Sequence, residues 1–121
     1  MHAMILAFES PGDFNRRHDK AAFKAYMDGW YAYGGSLEQA GIFKSGAALL
    51  GPETATVVSI KNGKRAVQDG PFTDSKEQLG GFFVIEVASL DEAAQWAKKC
   101  PAAKEGRVDV RVIPDAFCQE N

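Results

Sequence analysis

The chain has 121 residues, 45% of them hydrophobic and 25% charged, which suits a single domain with its own core and no need of covalent staples. A net charge of −2, with both signs mixed along the sequence, lacks the basic stripe that neutralises phosphates, so nucleic acid is not an expected partner. Cys100 and Cys118 show neither metal spacing nor a Cys-x-x-Cys, so no metal site, cofactor site or dithiol centre is expected, and reduced thiols in a cytoplasmic protein are.

Residues 3–9 read as a buried strand, because positions 4–8 are all apolar with no helical break. The same run lacks a basic flank and is too short for a signal peptide or a membrane span. Ser10-Pro11-Gly12 ends the strand, and residues 13–19 form a charged polar connection. From Lys20 the period changes: Phe23, Tyr26, Met27, Trp30 and Leu37 share one helical face. A helix over residues 20–40 is expected, irregular at Gly34-Gly35, where each glycine costs about 1 kcal/mol. Residues 42–50 follow as a strand, ended by Gly51-Pro52.

Residues 55–61 and 64–68 are strand-like and flank Asn62-Gly63, a pair suited to the positive φ angles of a two-residue hairpin turn. Residues 81–87 are again a buried strand. Ser89 and Glu92 then form a capping box for a helix that buries Leu90, Ala93, Ala94 and Ala97, and Pro101 stops it. Finally Arg107–Ile113 alternates valines with charged residues, a strand with one wet side.

The resulting order, β–α–β, hairpin, β–α–β, predicts a ferredoxin-like α+β sandwich with both helices on one face of an antiparallel sheet. The other face would carry Phe82, Val84, and Val57 or Ser59 according to register. An apolar face of that kind needs covering, and a homodimer packed sheet to sheet covers it. The competing arrangement is a monomer whose open face forms a ligand cleft.

Between the hairpin and the next strand lies residues 69–81, dense in turn formers and charge. Pro71 fixes its φ, and Gly70 with Gly80-Gly81 permits unusual backbone angles. A surface loop of this composition on a rigid scaffold is a common place for function.

Asp69-Gly70-Pro71-Phe72, with Lys76-Glu77-Gln78-Leu79-Gly80-Gly81-Phe82, resembles the signature of the DGPF branch of the YCII-related family. Leu90-Asp91-Glu92-Ala93, Trp96-Ala97, Cys100-Pro101-Ala102-Ala103 and Val108-Asp109-Val110-Arg111-Val112 are similar to the same family. The resemblance covers about the last half of the chain. It implies one domain over residues 1–121, a ferredoxin-like subunit and a dimeric α/β-barrel assembly. In related YCII proteins a His and Asp pair suggests acid–base catalysis, the histidine lying on the first helix. Residues 20–40 here hold no histidine.

Asp69 is a candidate general base, or alternatively the acceptor that structures the following turn. His18 is a candidate proton carrier, or a plain surface residue. Asp74, Lys76 and Glu77 offer polar recognition or a solvated ion pair, and Phe72 anchors the loop or contacts a ligand. Tyr26 and Trp30 serve the core or line a small-molecule pocket. Two functions are weighed. One is a small cytoplasmic dimer binding an aromatic or polar metabolite between the first helix and residues 69–77, with cofactor-free acid–base chemistry. The other is a non-enzymatic interaction module, since DGPF-type proteins resemble companions of extracytoplasmic-function sigma factors.

Overall fold

The computed structural model describes residues 1–69 and 77–117. Strand β1 (His2–Glu9) leads straight into a helical segment where a polar connection was expected. Ser10 is the reason. Its hydroxyl accepts from the Asp13 N–H at 3.1 Å, and the Asp13 carboxylate accepts from the Ser10 N–H at 3.0 Å. This reciprocal box starts helix α1 (Pro11–Asn15), and Pro11 sits in the first turn, where its missing N–H is harmless. A 3₁₀ turn (Arg16–His18) follows, and Asp19 accepts from the Ala21 and Ala22 N–H groups to cap helix α2 (Lys20–Gln39).

Helix α2 runs unbroken through Gly34-Gly35, contrary to the irregularity expected there. Tyr33 and Leu37, on either side, are buried, and Gly34 lies against the Phe83 ring, so packing holds the helix where propensity alone is weak. Gly35 is exposed, and a Cβ there meets nothing within 4 Å. Gly35→Ala is therefore expected to raise stability by about 1 kcal/mol through lost unfolded-state entropy, read as a higher denaturation midpoint at unchanged m-value.

Strands β2 (Phe43–Ala48), β3 (Thr56–Lys61), β4 (Lys64–Asp69), β5 (Gln78–Glu86) and β6 (Arg107–Ile113), with helix α3 (Leu90–Ala97), complete the elements. The main sheet has the order β2-β5-β1-β6 and is antiparallel throughout. With α2 and α3 on one face, this mixed α+β arrangement has the strand order of a ferredoxin-like sandwich. The hairpin departs from expectation. Strands β3 and β4 pair only with each other, as a two-stranded ribbon inserted between β2 and β5. Val57 and Ser59 thus belong to the ribbon and not to the open face of the sheet. Its turn is the expected one, with Asn62 at φ 52° and Gly63 at φ 75°.

The core lies between helices and sheet. Ala3, Ile5 and Ala7 of β1 are fully buried beside Ile85 of β5 and beneath Leu37 of α2 and Ala93 of α3. Cys100 joins this cluster, and burial pushes its thiol up to about 11. At α3 the Ser89 hydroxyl accepts from the Glu92 N–H as predicted, but the Glu92 carboxylate accepts from Ala88, one residue before the cap. The alternate residues Met4, Leu6 and Phe8 of β1, with Phe82 and Val84 of β5, form the half-buried outer face. Among the described residues no helix is long and apolar enough to cross a membrane.

Candidate functional site

The end of β1 is where the fold gathers unusual chemistry. Ala7 pairs with Gly81 but Phe8 pairs with Leu79, so Gly80 is the extra residue of a bulge. The bulge admits a carboxylate. Glu9, only 3% exposed, lies so close to Gly80 that a Cβ on the glycine would fall 1.8 Å from Glu9 Oε1. The Tyr26 hydroxyl on α2 donates to Glu9 Oε2 at 2.9 Å, and Arg17 Nη2 stands 3.7 Å from Oε1. Burial raises the Glu9 pKa, and the Tyr26 hydrogen bond and the Arg17 charge only partly oppose it. Burial also holds the Tyr26 phenol well above its ordinary range, so it remains a donor to the carboxylate.

Beside this group α2, β2 and β5 enclose a cavity of about 210 Å³. Its walls are Met27, Trp30, Phe43 and Phe83, with Tyr31 at an exposed rim and Gly46, Ala47 and Ala48 leaving the width. Trp30 and Phe83 stack with ring planes 15° apart, and Tyr33 and Phe43 meet Phe83 edge-on. Glu9 and Arg17 are the charged groups in this lining. Arg17 Nη2 donates to the Leu49 carbonyl at 3.2 Å, while Arg17 Nε is buried without an acceptor among the described residues. A carboxyl of raised pKa beside a guanidinium, facing an aromatic slot, is equipped to hold a ring and exchange a proton with it.

The sequence-selected residues distribute unevenly around this centre. Tyr26 and Trp30 meet there, one on the carboxylate and one in the wall, their rings edge-to-face at 6.1 Å. His18 is exposed on the 3₁₀ turn and does not line the cavity; its neighbour Arg17 does. Glu77 accepts from Arg107 Nη1 at 3.3 Å, and that guanidinium lies 4.1 Å from the Phe8 ring centre. Asp69 closes β4 opposite Thr56, but its side chain lies outside the described residues, as do Phe72, Asp74 and Lys76 entirely. Among the described residues no group of three metal-ligating side chains comes together.

Glu9 and Arg17 were not singled out from the sequence. A glutamate after an apolar run reads as the wet end of a strand. The available signal was Ser10-Pro11-Gly12-Asp13, a capping pattern that turns the chain directly after Glu9 and brings Arg17 back over it.

The Tyr26 hydrogen bond favours ionised Glu9, so Tyr26→Phe is expected to move its midpoint to still higher pH. Carboxyl ¹³C shifts of labelled protein would follow this. In the wild-type protein, Glu9 adds most to stability below its unfolded value of 4.5, where it is protonated in both states. That contribution declines as pH rises from 4.5 through the higher folded pKa. Tyr26→Phe extends the decline upward.

The YCII-related domain is the family model that matches the chain, over residues 1–115. An uncharacterised protein of Rhizobium meliloti is 38% identical over 71 residues, 59% of this chain; the match spans 57% of the relative's length. Among solved structures, the fold is similar to 5-chloro-2-hydroxyhydroquinone dehydrochlorinase from Burkholderia phenoliruptrix in complex with 2,5-dihydroxybenzoquinone. The TM-score is 0.52, with 22% identity and 94% of each chain covered.

Proposed function

The chain belongs to the YCII-related domain family, and from that premise we propose that it binds a single-ring aromatic metabolite in the cavity beside α2 and exchanges a proton with it through Glu9. The observation that carries this reading is the buried Glu9 carboxyl, raised in pKa, at the polar end of an aromatic slot. The slot's size favours one ring. Drug-sized ligands occupy roughly 300–1,000 Å³, whereas an apolar cavity of about 150 Å³ admits benzene. The similarly folded dehydrochlorinase, solved with a one-ring quinone, adds support by analogy of fold. Acid–base work needs no cofactor here, with Glu9 as proton carrier, Tyr26 holding its Oε2 and Arg17 supplying positive charge.

Backbone amide shifts during titration with catechol, hydroquinone and benzoate test the reading. Perturbations should centre on Trp30, Phe43 and Phe83, and a map centred elsewhere sinks it.

The assembly is proposed as a homodimer joined through the outer sheet face. Met4, Leu6, Phe8, Phe82 and Val84 make a contiguous apolar strip there, and a second copy offers the matching surface. Sedimentation equilibrium is expected to give twice the chain mass in the micromolar range, and Leu6→Glu to return it to one.

A further inference from the structure

Arg17 holds more donors than the described residues use. One Nη2 bond goes to the Leu49 carbonyl, Nε is buried without an acceptor among the described residues, and Glu9 at 3.7 Å lies beyond hydrogen-bond length. The guanidinium also lies near the Phe14 and Phe23 rings, 5.4 and 6.0 Å from their centres, so part of its surroundings is apolar. Arg16 differs: it pairs with Asp13 and with Glu105 and lies over the Tyr26 ring. A desolvated guanidinium with a vacant donor in a cavity wall seeks an anionic oxygen. Among the described residues its charged companion in that lining is Glu9.

Building on the ring-binding reading above, we propose that the cavity selects aromatic rings bearing an ionised oxygen, a phenolate or benzoate, which docks on Arg17 while Glu9 takes up one proton from solvent. Two anions then share one cation if Glu9 stays charged, and like charges at that range drive one of them to protonate. Once neutral, Glu9 has an O–H to offer the docked oxygen, which turns repulsion into a hydrogen bond. The groups around Glu9 agree with this outcome. Asp13 of α1 raises its pKa, Tyr26 of α2 donates to Oε2, and among the described residues Arg17 contributes the positive charge. No bond beyond O–H is made in the step, and the proton comes from water or buffer.

Benzoate and benzamide, alike in shape and differing in charge, are the probes. Calorimetric titrations run in two buffers of different ionisation heat, at a pH where NMR shows Glu9 ionised in the free protein. Benzoate is expected to bind about tenfold more tightly than benzamide, the size of one charge-assisted hydrogen bond. Its binding should take up close to one proton. Arg17→Met should erase the preference, Arg17→Lys should keep part of it, and Glu9→Gln should abolish proton uptake. Amide spectra of each variant establish that it is folded. Equal binding of the two probes without proton uptake overturns the charge-selection inference and leaves the ring pocket standing. Failure of both probes to bind overturns the ring pocket itself, and this inference with it.

Discussion

Gly106→Ala is expected to destabilise the protein by about 3 kcal/mol, the upper end of what overpacking ordinarily costs. A Cβ at this position would lie 1.9 Å from the Phe8 carbonyl oxygen and 3.2 Å from that of Ala102. Neither obstacle is a side chain that can rotate away. Phe8 is fixed between β5 and β6 by its pairings with Leu79 and Arg107, and Ala102 is buried and accepts from the Gly106 N–H at 2.9 Å. The added methyl must therefore move backbone in β1, an interior strand of the sheet. Urea denaturation should show a lower midpoint at unchanged m-value. Gly35→Ala is the control: the same substitution, in open space on α2, is expected to act in the opposite direction. Because Phe8 precedes Glu9, the displacement also reaches the candidate site, and ring binding should weaken in the fraction that remains folded.

Some of this fold was legible residue by residue. Asn62-Gly63 announced its hairpin because few other pairs tolerate two positive φ angles in succession. The alternation of Arg107–Ile113 announced a strand, and Val108 and Val110 pack on the core, although Val112 on the same face is half exposed. Tyr26 and Trp30 were legible as pocket candidates through helical spacing. Apart from helix α1, whose Ser10–Asp13 cap is local, the misreadings share a physical cause, since they depended on contacts distant in sequence. Gly34-Gly35 looked like a break because its compensating contact is Phe83, on another element. Gly80 looked like loop, though it lies in β5, because the carboxylate that fills the bulge comes from β1. The separate ribbon of β3 and β4 was hidden for a related reason: local pattern specifies the hairpin but not which sheet it joins. Glu9 was the largest omission. Its burial arises from Tyr26, Arg17 and a bulge on a neighbouring strand, and of these only the return of Arg17 is signalled beside it, by the cap at Ser10 and Asp13.

The candidate site depends on Gly80 having no side chain, which leads to the second large effect. In Gly80→Ala the new methyl would occupy the volume of Glu9 Oε1 and crowd Cδ at 2.5 Å, so the carboxylate must swing away. It then loses the Tyr26 hydroxyl, and the phenol and carboxyl are left as buried polar groups without their partners. Stranding such groups costs about 1–3 kcal/mol, and with the steric component a loss of about 3 kcal/mol is expected. A double-mutant cycle identifies the cause. In a Glu9→Ala background the methyl has room, and the same Gly80→Ala change should cost under about 1 kcal/mol, a coupling well above the additivity error of distant sites. If the two changes were simply additive, Gly80 would matter for its backbone alone and the bulge would not be a seat for the carboxylate. Binding separates the roles further. The double variant should recover stability yet take up no proton with benzoate, since the group that carries the proton is gone while the slot walled by Trp30 and Phe83 remains.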